Sequence, residues 1–295
     1  MSDLPLDLRK LLEDRARQYT TEHLESLKDG KGTVKLRLKC SDGFVVETVI
    51  LEDKTGRRTA CLSSQAGCAM GCAFCKTGTL GLSRQLETHE IVEQFLHARK
   101  QDETIGNIVF MGMGEPLVNF ENLMKAVRIL HEPSGCGLGY KRITVSTCGL
   151  SEGIERLALE TPSVRLALSL ITADQGKRES LIPAARTNTL PRLKKSLLAF
   201  QKEKESRITL EYVLLKGIND GRDEVRKLLE FIRGLDCLIN IIPWNPVKGL
   251  PFERPESVRT EEFVRALRSE GISVTRRMTR GVSINSACGQ LGGIQ

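Results

Sequence analysis

Cys68, Cys72 and Cys75 stand in the run CLSSQAGCAMGCAFCKTG with the spacing C-x3-C-x2-C. Three thiolates on one short loop leave an odd ligand, so they are not a closed disulfide framework. They can each bind one iron of a 4Fe-4S cluster and leave the fourth iron open to a small molecule. A zinc site would need a further ligand, and such sites come as paired C-x-x-C units or with His. The chain has no second C-x-x-C pair and only four histidines. Two other thiols stand in suggestive surroundings. Cys61 heads the same segment, and Cys288 sits in the glycine-rich stretch TRGVSINSACGQLGG over 279–293. Cys40, Cys136, Cys148 and Cys237 are isolated and read as small buried hydrophobes.

The elements that must position these thiols follow a simple alternation. Short, β-branched apolar runs begin at residues 107, 142, 164, 207 and 237 (NIVFMG, RITVST, VRLALSL, RITLEYVLL and CLINIIPW). Such runs suit parallel strands buried on both faces. Amphipathic helical patterns fill the gaps at about 88–101, 120–131, 151–160, 189–204, 222–234 and 259–270. With the cysteine segment opening the series, this predicts an α/β fold of about six βα units, a partial (βα)6 barrel open on one side over 54–295. Residues 1–30 read as helical from Leu4, Leu8, Leu11 and Leu12, and 34–40 and 44–52 read as a hairpin around Ser41, Asp42 and Gly43. Residues 1–53 are therefore expected to form a small N-terminal α+β accessory element.

In such folds the chemistry lies at the C-terminal ends of the strands. FMGMGEPLVN brings Met111, two glycines and Glu115 there; Gly112 and Gly114 serve a tight turn or a close approach to a ligand, and Glu115 can pair with an ammonium group. Ser146 and Ser169 end their strands, where they either bond a ribose or carboxylate or cap the next helix. Asn245, in IPWNP, is placed to bond an adenine or ribose or to shape the turn before Pro246.

The 295 residues carry a formal charge of +7, which suits a polyanion such as RNA. Aromatic residues make up only 4 %, which argues against a stacking platform of the RRM kind. Lys141, Arg142, Lys194, Lys195, Arg276, Arg277 and Arg280 are the candidates for phosphate contacts. No stretch is long and apolar enough for a membrane span, and the charged N-terminal run is not a signal peptide. Nine cysteines without a secretory signal imply a reducing, cytoplasmic location. An open barrel face that serves RNA implies a monomer.

Taken together, VVETVI, CLSSQAGCAMGCAFC, FMGMGEPLVN, ITVSTCGL, IPWNP and RGVSINSACGQL resemble, in order, the RlmN/Cfr family of radical-SAM RNA adenine methyltransferases, from about residue 34 to the C-terminus. GMGEPL and the IPWNP segment look more like the RlmN branch. The resemblance implies a 4Fe-4S cluster on Cys68, Cys72 and Cys75, with Phe74 packing over the adenine of S-adenosylmethionine. It implies cofactor contacts from Gly114, Glu115, Ser146, the segment Ser169, Leu170 and Ile171, and Asn245. Cys288 corresponds to the cysteine that accepts a methyl group, Cys61 to its disulfide partner, Glu47 to a proton acceptor, and Met111 to a methionine beside the pair. Two molecules of S-adenosylmethionine are implied per turnover, one as methyl donor and one as radical source. So is an electron-donor protein such as flavodoxin. The implied product is an adenine of 23S rRNA or tRNA methylated at carbon 2; carbon 8, another RNA, or an inactive iron–sulfur RNA-binding protein are the alternatives. The chain departs from the family at Ile171, where His is usual and only a backbone contact survives, and its N-terminal region is shorter than in typical members.

Overall fold

The computed structural model describes residues 4–292 other than 18, 162 and 278. Gly293, the last residue of the cysteine-bearing C-terminal motif, lies outside the described residues. The chain opens with α1 (Leu6–Arg15) and an antiparallel meander, β1 (Glu22–Lys28), β2 (Val34–Lys39) and β3 (Val45–Glu52). Next come β4 (Arg58–Cys61) and a separate two-stranded hairpin of β5 (Gln65–Cys68) and β6 (Gly81–Gln85). Strands and helices then alternate: α2 (Thr88–Gln101), β7 (Asn107–Phe110), α3 (Phe120–His131), β8 (Ile143–Thr147), α4 (Ser151–Leu159) and β9 (Arg165–Ser169). The series continues through α5 (Gln175–Leu181), α6 (Leu190–Lys204), β10 (Ile208–Leu214), α7 (Arg222–Ile232), β11 (Cys237–Pro243), α8 (Ser257–Ser269) and β12 (Val274–Arg276).

One ten-stranded sheet has the order β1-β2-β3-β4-β7-β8-β9-β10-β11-β12. Pairing is antiparallel up to β4 and parallel from β4 to β12. The six expected βα units are present as β4 and β7 to β11, with β12 as a further edge strand. The sheet curls, since residues from β3, β4 and β7 to β11 line one cavity. The N-terminal meander joins the barrel strands directly through the β3–β4 pairing, in the register Val49 to Cys61.

Local chemistry explains the elements. Helix α2 starts with a reciprocal capping box between Glu87 and Glu90, which satisfies two orphan N–H groups. Helices α3 and α7 bury apolar stripes (Leu123, Val127 and Leu130; Val225, Leu228 and Ile232) against the sheet core. The turn at 41–43 forms as expected, with Gly43 at φ 92° and the Phe44 N–H donating to Asp42 Oδ1.

The expected helix over 1–30 is corrected: among the described residues of that stretch only α1 is helical, it buries none of its residues, and 22–28 is a strand. Its cause is non-local, because β1 exists through its ladder to β2 from Glu22–Lys39 to Lys28–Val34.

Candidate active site

The cluster loop leaves β5 at Cys68 and is held from three sides. Ala73 N–H donates to Leu181 O of α5 (2.9 Å), Lys76 N–H to Gly289 O (2.8 Å), and Trp244 Nε1–H to Phe74 O (3.0 Å). Cys68, Cys72 and Cys75 face one cavity of about 160 Å³ with Phe74, Gly112, Gly114, Glu115, Ser146, Ser169, Ile171 and Asn245. The structure thus gathers the three ligands and all of the expected cofactor contacts except Leu170. Leu170 faces the main core, and its carbonyl accepts from Arg178 Nε at 3.2 Å. All three ligand thiols are pushed upward by burial, Cys68 to about 11. A cluster binds the thiolates and so must displace these protons. Among the described residues no three His, Cys, Asp or Glu groups converge as around a single ion.

The cavity's polar groups fit a zwitterionic nucleoside cofactor. Glu115 is buried; its Oε2 accepts from Cys148 N–H (2.8 Å) and its Oε1 from Leu117 N–H (3.2 Å). Burial raises its pKa, so a cationic ammonium beside it would be favoured over leaving the carboxylate alone. Neither Ser146 nor Ser169 makes a side-chain hydrogen bond within the described protein, and helix α4 has no side-chain cap, so both hydroxyls open onto the cavity. Asn245 donates through Nδ2 to Cys288 O (3.1 Å), and its buried Oδ1 has no partner. That orphan acceptor is placed for an amino or hydroxyl donor from the cofactor.

Glycines 112 and 114 have a different primary reason from ligand approach. A Cβ on Gly112 would lie 2.7 Å from the Leu62 backbone, and one on Gly114, at φ 100°, 2.5 Å from Gln65 Cβ. Their bareness lets the turn after β7 pack on the segment that leads into the cluster loop.

Ile171 is fully buried and holds φ 66°, a region that disfavours β-branched residues. Asn219 Nδ2 donates to its carbonyl at 2.7 Å and fixes it there. Such a conformation costs about 1–3 kcal/mol and persists where the surroundings over-determine it. Ile171 lines the cavity but brings no ring nitrogen to it.

A second cavity, of about 470 Å³, enters the barrel interior between the β3–β4 turn and residues 276–288. Thr144, Ala167, Thr209 and Asn240 line its wall, and both Cys61 and Cys288 open onto it. Met111, Glu211, Ile242, Asn245, Arg277 and Cys288 line both cavities and form the waist between them. Cys61 and Cys288 are free thiols. Burial, with Cys288 nearby, pushes Cys61 up to about 12, while the Arg277 charge pulls it down. Arg277 in turn is held more firmly protonated by Cys288, Glu211 and Cys61, and its Nη1 lies 3.9 Å from Met111 Sδ. Asn240 Nδ2 donates to Glu211 Oε2 at 2.8 Å.

Glu47 lines neither of these cavities. It is buried in an ion pair with Lys35 (3.0 Å), and its Oε2 accepts from Gly292 N–H (2.8 Å). Of the basic candidates, Arg276, Arg277 and Arg280 line the larger cavity, but Arg276 is paired with Glu261 and Arg277 lies in the waist. Lys141, Arg142, Lys194 and Lys195 line neither cavity. Lys54 and Arg57 at the mouth were not anticipated, nor was Glu211 at the waist, and Arg277 was expected to contact phosphate rather than to stand beside Cys61 and Cys288. Glu211 does leave a signal, as a lone charge inside the apolar run RITLEYVLL.

The model of the radical SAM superfamily matches residues 62–232. The chain is 47 % identical to a probable dual-specificity RNA methyltransferase RlmN of Treponema denticola, over 99 % of this chain and 84 % of that one. It is 39 % identical to a ribosomal RNA large subunit methyltransferase N of Nitrosopumilus maritimus, over 99 % and 87 % of the two chains. A crystal structure of a radical SAM methyltransferase from Sphaerobacter thermophilus superposes with TM-score 0.94 at 42 % identity, covering 98 % of this chain and 86 % of that one.

Proposed function

Because the chain belongs to the radical SAM superfamily and, within it, to the RlmN family of S-adenosylmethionine-dependent RNA methyltransferases, we propose that it methylates an adenine ring carbon, carbon 2, of 23S rRNA or tRNA through an S-methylcysteine on Cys288. The observation that carries this reading is the pair of free thiols at the junction of the two cavities: Cys288 faces both, Cys61 only the larger. An adenine ring carbon bonded to hydrogen is electrophilic, so direct displacement on a sulfonium methyl fails there. A protein thiol that first carries the methyl group removes the difficulty.

Cys68, Cys72 and Cys75 hold the cluster, and Glu115, Ser146, Ser169, Ile171 and Asn245 hold S-adenosylmethionine beside it. When bound, the cluster supplies one electron that splits S-adenosylmethionine into methionine and a 5′-deoxyadenosyl radical. Before that step, the Cys288 thiolate takes a methyl group from a first S-adenosylmethionine by displacement. The S-methyl group then gives up one hydrogen atom to the radical, and the resulting carbon-centred radical adds to the adenine. The ring radical then loses its proton and one electron, which the oxidised cluster would take back, and a covalent protein–RNA adduct remains. Glu211 lines both cavities whereas Glu47 is tied to Lys35 and Gly292, so the ring proton passes to Glu211. Cys61 as thiolate attacks the Cys288 sulfur; the S–S bond forms, the C–S bond breaks, and a proton completes the methyl group. Two external thiols supply the two electrons that reduce the disulfide, and a flavodoxin-like protein supplies the electron that first reduces the cluster. The target base leaves its stack and enters through the larger cavity, whose mouth carries Lys54, Arg57 and Arg280.

The test is nucleoside mass spectrometry after anaerobic reconstitution with reductant, methyl-labelled S-adenosylmethionine and separate pools of unmodified rRNA and tRNA. Labelled 2-methyladenosine is expected. Labelled 8-methyladenosine would reassign the ring carbon, and cleavage to 5′-deoxyadenosine without labelled adenosine would reassign the substrate.

A further inference from the structure

Arg178, on α5, is 0 % exposed and is among the largest fully buried side chains of the described residues. Its Nε donates to Leu170 O (3.2 Å) and its Nη2 to Cys148 O (2.5 Å), while Nη1 has no hydrogen-bond partner. No carboxylate pairs with it among the described residues. A buried cation is normally paired, because leaving it alone in a low-dielectric interior is expensive. The missing counter-charge has a nearby source. One turn beyond Arg178, Leu181 O accepts the Ala73 amide, between two of the cluster cysteines. Cys148, whose carbonyl the guanidinium grips, lines the cluster cavity with Cys72. Cys148, Cys72 and Cys75 pack into one apolar cluster, so the guanidinium that holds the Cys148 carbonyl lies behind the cysteine loop. Glu115, another buried charge here, accepts the N–H of Cys148 and lines the cavity, and it makes no ion pair with Arg178.

We propose that Arg178 is a positioning residue that acts as the fixed counter-charge of the cluster, set behind Cys72 to ease its reduction. This rests on the reading that Cys68, Cys72 and Cys75 hold that cluster. A cluster on three thiolates is anionic, and more so once it gains an electron. A buried cation therefore stabilises the reduced form more than the oxidised one. A neutral side chain of the same length would leave the added electron without that partner.

The experiment is a mediated redox titration of the anaerobically reconstituted full chain, read by the EPR signal of the reduced cluster, for wild type, R178M, R178Q and R178K. Iron and sulfide content establishes loading first. Arg178→Met and Arg178→Gln are expected to disfavour reduction by at least tenfold, about 59 mV for one electron. Arg178→Lys, which keeps the charge, is expected near wild type. Arg178→Gln separates charge from shape, since its amide can still donate to the Cys148 or Leu170 carbonyl. Loading by R178K with failure of both neutral variants would show the same dependence on charge at assembly. Neutral variants with the wild-type potential would overturn the inference alone, as would failure of all three variants to load. A wild-type chain that loads no cluster would overturn the underlying reading as well.

Discussion

At the scale of the residue, Cys61 has a demanding part. Burial keeps it a thiol near neutral pH, yet resolution of the adduct needs its thiolate. Arg277 is the charge that pulls it back down. Arg277→Met is therefore expected to slow release roughly tenfold. Adduct should accumulate, more at pH 7 than at pH 9, and denaturing gels of RNA cross-linked protein would read it. An adduct fraction independent of pH would detach Arg277 from the resolving thiol. The same shift has a sign for stability. The folded Cys61 titrates near 12 against 9.0 unfolded, so its contribution is present in full below about 9 and is lost as pH rises toward 12. That Cys68, Cys72 and Cys75 gather at one cavity was legible from their spacing, because thiols so close on one loop stay near one another. Arg277 was not, since it sits in the basic run TRRMTRG and nothing local separates a buried guanidinium from a solvated one. Arg178 was missed for the same reason.

At the scale of the element, the stretch that carries Cys288 is tied to the N-terminal meander. Lys35 on β2 pairs with Glu47 on β3 and donates to Asn285 O (3.3 Å), and Glu47 takes the Gly292 amide. Asp29 Oδ2 accepts from Gly281 N–H (3.1 Å), and Arg280 Nη1 donates to Lys31 O (3.1 Å). The stretch 280–292 that carries Cys288 is thus clamped from the meander side. Removing one partner of a buried ion pair leaves an uncompensated charge and costs about 3–5 kcal/mol. Lys35→Met should destabilise by about that amount in chemical denaturation. Adding Glu47→Leu should restore most of the loss but leave 281–292 open to protease, because the bond to Gly292 is gone. Protection of the loop in the double variant would show that the clamp lies elsewhere. Most elements were legible: α2 and α3 fall where their apolar stripes put them, and β7 to β11 coincide with the β-branched runs. What was missed is non-local or short. Strand β1 (EHLESLK) is set by its partner, β5 (QAGC) has no β-branched residue and holds Gly67 at φ 81°, and α5 is only seven residues long.

At the scale of the molecule, the curled sheet encloses two cavities that meet at one thiol, which separates the two substrates in space. In the proposed reaction the smaller cavity takes S-adenosylmethionine and the cluster and the larger one the base; of the lining residues only those of the waist are common. A cavity of about 470 Å³ is within the range that holds a small ligand, while the smaller, at about 160 Å³, is bounded by the cysteine loop. Blocking the larger cavity should therefore stop RNA chemistry without stopping cofactor chemistry. Thr144 on β8 and Thr209 on β10 are partly exposed to that cavity and line neither the cluster side nor the waist. Thr144→Phe or Thr209→Phe would place a ring in the path of the base. RNA methylation should fall by more than tenfold, while methylation of Cys288, followed by intact-protein mass, and cleavage of S-adenosylmethionine to 5′-deoxyadenosine continue. Equal loss of all three activities would mean that the waist transmits the change, and full RNA methylation in both variants would mean that the base reaches Cys288 by another route.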